Sequence, residues 1–159
     1  MKKAHEFFSK FQSNMIGGLN TCMLGQIDKF DPQRMAADVV LLPDGDLIID
    51  VPVAIQQTED FYIRVPYKVG DIVLVVFAQR DIDGIMRGGD ATPSQRMLSM
   101  DDAIVIAGVG LFTDTPLPSA NAGDLVIGKK SGGSKIVLNA TNNDIEVTCN
   151  QFKVNGRVI

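Results

Sequence analysis

The run Val69-Gly70-Asp71-Ile72-Val73-Leu74-Val75-Val76-Phe77-Ala78-Gln79 decides what the chain can fold into. From Ile72 to Phe77 every residue is apolar, so both faces of an extended strand would be greasy. Such a strand belongs inside a sheet, not at its rim. Lys68-Val69-Gly70-Asp71 in front of it reads as a turn. Working outward, further strand-like runs occupy residues 21–30, 34–42, 47–55, 60–65 and 103–107. Asp31-Pro32 and Pro43-Asp44-Gly45-Asp46 punctuate them, the latter as a hairpin turn. Pro52 inside the third run marks an edge or a bend, because proline has no N–H for a ladder. Ser99 caps a short helical turn, with Asp101 and Asp102 behind it.

Five or six strands in roughly 90 residues, with no long helix between them, predict a small antiparallel barrel of OB-fold size over residues 19–110. The predicted class is mainly β. The chain has 159 residues, 45 % of them hydrophobic and 21 % charged, a globular balance. Its net charge of −4, with no tryptophan and two tyrosines, argues against nucleic acid as a partner. No apolar run approaches the ~20 residues of a membrane span, and no secretory leader is evident. The expected place of synthesis is the cytoplasm.

Residues 1–18 read as a helical segment. Ala4, Phe7, Phe8, Phe11 and Met15 fall on one stripe, and Gly17-Gly18 end it. Phe7, Phe8, Phe11 and Met15 are the candidate docking surface of this helix; packing on its own domain is the plainer use. Residues 111–123 carry Thr, Pro, Ser, Asn and Gly and read as a linker. Residues 124–159 hold a weak repeat of apolar pairs, Ile136/Leu138, Ile145/Val147 and Phe152/Val154, at roughly eight-residue steps.

No catalytic or metal constellation emerges. His5 is the only histidine and lies among phenylalanines. Asp81 and Asp83 open like a calcium loop, but no ligand set completes it, so a solvated turn is the expectation. Gly128 to Gly133 (GKKSGG) lacks the order of a phosphate-binding loop and reads as a hairpin tip. Cys22 and Cys149 have no metal-ligand spacing and are expected as small core or interface residues. No cofactor is expected, and no enzymatic activity.

The stretch FYIRVPYKVGDIVLVVFAQRDIDGIMRGG (residues 61–89), with DVPV (50–53) and SQRMLSMDDAIVIAGV (94–109), resembles the N-terminal OB domain of phage tail central spike proteins. These are membrane-piercing baseplate proteins of contractile-tailed phages and related injection systems. The resemblance covers Leu19 to about Val109 and is most specific over Pro66 to Asp83. Family members continue into a tapering three-chain β-helix, which implies the same for residues 124–159. Two departures stand out. Ile85 and Met86 replace an aromatic of the family pattern. No histidine follows His5, so the iron-binding His-x-His tip of many members is absent.

The resemblance implies a trimeric spike or hub component at the tail tip. Its partners would be two further copies, baseplate hub and tail tube proteins, and a separate tip protein, with transient contact to the host envelope. The physical case concerns the last strands. A lone meander leaves one apolar face wet and two edges unpaired. Three copies about an axis form a closed, intertwined β-prism with Ile136, Leu138, Ile145, Val147, Phe152 and Val154 inward and Lys135, Glu146 and Lys153 outward. The competing expectations are an OB-fold binding module for oligosaccharide or oligonucleotide, and a cell-wall hydrolase, for which the linker leaves no room.

Overall fold

The computed structural model describes Lys10, residues 21–89 and residues 94–158. The docking-helix residues Phe7, Phe8, Phe11 and Met15, and His5, lie outside the described residues. The chain divides into two compact units, Met1–Leu111 and Phe112–Ile159.

The first unit is built on a five-stranded antiparallel sheet. Its strands are β1 (Cys22–Asp31), β2 (Ala36–Leu42), β3 (Leu47–Pro52), β6 (Ile72–Phe77) and β7 (Ala103–Gly108). Their order is β3-β2-β1-β6-β7, so the doubly apolar β6 sits between two neighbours, as its sequence predicts. Val73, Val75 and Phe77 are buried, while Ile72, Leu74 and Val76 are half-covered. The core is formed by Ile27, Val39, Leu41, Val51, Val53, Val73, Val75, Phe77 and Val105 with Ala37 and Ala103. Phe30 and Tyr67 meet edge to face at 5.6 Å beside it. Gly25 is buried where β1 crosses between Val39 and Val75; a Cβ there would overlap Val39 Cγ1 and lie 3.1 Å from Val75 Cγ2.

The predicted barrel does not close by a ladder. The edges of the sheet meet at one parallel bridge, Val53 to Val105, with Ala54 N donating to Val105 O at 2.8 Å. Pro52 has no N–H to offer, and Val53 N is committed to Met35 O at 2.7 Å. Beyond Ile55 the chain leaves the sheet for a small hairpin, β4 (Gln56–Gln57) with β5 (Tyr62–Ile63). The predicted run 60–65 is therefore a two-residue strand away from the main sheet.

The turn at Pro43 to Asp46 returns β2 into β3, with Leu41 N bonded to Asp46 O at 2.8 Å. Ser99 caps a 3-10 turn, Met100–Asp102, accepting from Asp101 N. A short helix, α1 (Asp83–Met86), stands in the excursion between β6 and β7.

The second unit holds β8 (Leu125–Gly128), β9 (Lys135–Leu138) and β10 (Ile145–Thr148) as a three-stranded antiparallel sheet in the order β10-β9-β8. A separate hairpin joins β11 (Lys153–Val154) to β12 (Arg157–Val158). The hairpin tip expected at Gly128 to Gly133 lies one residue later, at Lys129 to Ser134, because Gly128 ends β8; Lys129 N is bonded to Ser134 O at 2.9 Å. Within one chain these strands pair as an antiparallel meander rather than a β-helix turn, because short turns bring each strand back beside the one before it. Cys22 and Cys149 are both exposed, so neither is the core residue expected.

Candidate functional site

The register of the second unit decides which side chains share a face. Leu125 and Ile145 lie opposite Leu138 from its two sides, and Ile127 and Val147 lie opposite Ile136. Directly opposed residues on neighbouring strands point the same way. Leu125, Ile127, Ile136, Leu138, Ile145 and Val147 therefore form one continuous apolar face. They are 42–70 % exposed. The sheet thus brings together Ile136, Leu138, Ile145 and Val147 of the candidate set. It adds Leu125 and Ile127, which the search for alternating pairs missed because Val126 between them is also apolar. Phe152 and Val154 are exposed as well, but belong to the β11 region and are not hydrogen-bonded into this sheet.

The reverse face is different. Val137 is fully buried there, opposite Val126 and Glu146. It is the one buried residue of the second unit among the described residues. The approach to β8 is tied down nearby. Lys135 Nζ donates to Asn121 Oδ1 at 2.7 Å, and Asn121 Nδ2 to Asp124 Oδ2 at 2.8 Å. Ala140 N donates to Asp124 Oδ1 at 2.9 Å. The Ala140 amide, then Asn121, holds the Asp124 carboxyl below the usual carboxylate range.

In the first unit, one cluster joins side chains that the sequence scatters. Arg96 donates to Asp102 through Nη2 and Nε at 2.8 and 2.9 Å, and through Nη2 to Asp81 and Asp83 at 3.2 and 3.0 Å. Asp101 is 3.7 Å from its Nη1. Asp102 is fully buried and also accepts from Ile82 N at 3.1 Å. Asp81 is thus no solvated turn residue: its carboxylate holds the guanidinium and accepts from Asp83 N and Ser94 N, both at 3.0 Å. The Ser94 hydroxyl and amide, then the Asp83 amide, lower its pKa to about 2. Asp102 and then Asp83 raise the affinity of Arg96 for its proton. Carboxylate oxygens of Asp81, Asp83 and Asp102 lie within 4.8 Å of one another, a spacing compatible with a cation. Arg96 bonds to all three, so the arrangement is an ion-pair network pinning the excursion to the sheet.

An open groove beside the β4–β5 hairpin is lined mostly by aliphatic groups of Ile55, Ile63, Val65 and Ile106, with Gln56 and Tyr67 as its polar members. It lacks the convergent polar groups that orient a sugar or a base.

A family model described as the phage protein Gp138 N-terminal domain matches residues 23–108. The chain belongs to this family. The match starts one residue into β1 and ends on the last residue of β7, so the Gp138 N-terminal domain coincides with the five-stranded sheet. It also falls within the stretch, Leu19 to Val109, that resembles the phage central spike proteins. Membership makes this a phage protein and points to a structural component of the particle. No curated protein matches the chain. The apolar face of β8–β10 lies outside the Gp138 N-terminal domain, beyond its last strand.

Proposed function

We propose that the chain is a structural spike or hub component at the tip of a contractile phage tail or related injection particle. Three copies associate through their C-terminal units into a short needle that helps breach the host envelope. The observation that carries this reading is the face of Leu125, Ile127, Ile136, Leu138, Ile145 and Val147. It is too exposed to stabilise one chain, it lies between two edges left unpaired among the described residues, and it follows a phage Gp138 N-terminal domain. A sheet with one buried side chain has almost no interior of its own. Copies that cover its face would give it one.

The first unit serves as an OB-type platform carrying its own core. The work of penetration comes from contraction elsewhere in the particle, and the chain itself performs no catalysis. Closed β-structure resists bending because many backbone hydrogen bonds must break together. Baseplate hub and tail tube proteins dock on the N-terminal segment, and a separate protein supplies any point. Substituting Phe8→Ser and Phe11→Ser should block incorporation into particles and leave the trimer intact.

The test of the trimer is the solution mass of the full chain beside a truncation after Ala122. Light scattering should give three chain masses for the first and one for the second. An unchanged trimer after truncation would remove the C-terminal unit from this role.

A further inference from the structure

We infer that strand β8 is an inter-chain pairing edge and that it adds onto β10 of the neighbouring copy; the inference rests on the trimer reading above. The chemistry of the edge comes first. β8 reads Leu-Val-Ile-Gly, and all four residues are exposed. Exposed edges are normally blunted by lysine, proline, a bulge or an inward charge. β8 has no charge and no proline, and its ladder with β9 runs without a register shift. The lysine of this sheet, Lys135, sits on the central strand, where it protects neither edge.

Symmetry then selects the partner. An edge that pairs with its own copy requires a twofold axis and makes dimers. A threefold ring is heterologous, so the β8 edge must meet a different edge of the next chain. β10 is the other open edge of the same sheet and has the same four-residue length. β11 and β12 are two residues each.

Register completes the argument. Leu125 and Ile145 flank Leu138, and Ile127 and Val147 flank Ile136. Joining β8 to the neighbour's β10 carries these two apolar rows around the ring without interruption. A slip of one residue would turn the greasy face outward, so only even offsets are allowed. Since β8 and β10 both run antiparallel to β9, the new junction is parallel. Three sheets of three strands give a ring of nine. A barrel of about eight strands is just filled by its own side chains. Leucine and isoleucine suit a slightly wider one.

The test is disulfide trapping in the full chain, with Cys22→Ser and Cys149→Ser as background. Val126→Cys is combined with Glu146→Cys, and separately with Thr148→Cys to cover a two-residue offset. Within one chain the first pair is separated by β9, about 9–10 Å, beyond the ~7 Å limit for a disulfide. Mild oxidation should give a covalent species of three chain masses that returns to 17.2 kDa on reduction, and neither single variant should cross-link. A disulfide dimer from Val126→Cys alone would overturn the inference, because β8 would then meet itself. Absence of cross-linking in both pairs, with light scattering still giving three chain masses, would overturn it and leave the trimer standing. A one-chain mass for the unmodified protein would overturn the trimer reading and this inference with it.

Discussion

Arg96 grips Asp102 with two guanidinium nitrogens, Nη2 to Oδ1 at 2.8 Å and Nε to Oδ2 at 2.9 Å, and Asp102 is fully shielded from solvent. A forked pair of this kind cannot be replaced by a point charge. Arg96→Ala leaves a buried carboxylate facing Asp81 and Asp83 without a counter-charge. The thermal midpoint of the first unit is expected to fall by ~10 °C. Arg96→Lys should recover only part of that loss. Calorimetry of the three proteins checks the order.

Asp81 supplies a pH dependence of definite sign. Its pKa is depressed to about 2 by the Ser94 hydroxyl and amide and the Asp83 amide. A depressed carboxylate contributes stability that is fully present above its unfolded value near 3.8 and is lost as pH falls through about 2. Wild-type stability should therefore drop between about pH 4 and pH 2. Asp81→Asn should be less stable at neutral pH and show a shallower drop across that window. Urea titrations at stepped pH read both slopes.

Gly25 tests the packing under β1. A methyl group there runs into Val39, a fully buried β-branched side chain with little rotamer freedom, and crowds Val75. Gly25→Ala should cost about 1–3 kcal/mol by overpacking. Gly45→Ala is a different case: nothing lies near its Cβ position, but its φ of +84° is unfavourable for alanine. Denaturant midpoints separate steric cost from backbone cost when Gly25→Ala is paired with Val39→Ala, which relieves only the former.

The apolar face of β8–β10 should govern association without governing the first unit. Ile136→Asp places a charge on the central strand of the face and Ile127→Asp one on its β8 edge, and each trimer would carry three. Association should weaken by ~100-fold or more. The unfolding midpoint of the first unit should stay within about 1 °C, since its core lies entirely in β1 to β7 and the adjoining Val53. Sedimentation across a concentration series, with melting curves alongside, tests both halves of the statement.

Much of this was legible from residues alone. The doubly apolar Ile72–Phe77 run placed β6 inside the sheet, and Pro43 to Asp46 placed the turn between β2 and β3. Ile136, Leu138, Ile145 and Val147 share a face because a period of two is written plainly there. Leu125 and Ile127 escaped notice because three apolar residues in succession hide that period. The Arg96 network escaped for a different reason. Its partners are 5 to 15 residues away along an irregular excursion, and no spacing rule predicts which carboxylate ends up buried. The incomplete closure of the barrel depended on where the chain departs after Pro52, a matter of tertiary competition for Val53 N.

That join between Val53 and Val105 has a mechanical corollary. Sheet edges that meet, among the described residues, at a single stitch have a preferred place to part. Solvent deuterons should enter at Ala54, whose amide holds the stitch, before they enter the amides of the central strand β1. A body with such a seam can yield locally under sudden load and reseal, keeping the remainder of its strand pairing in place.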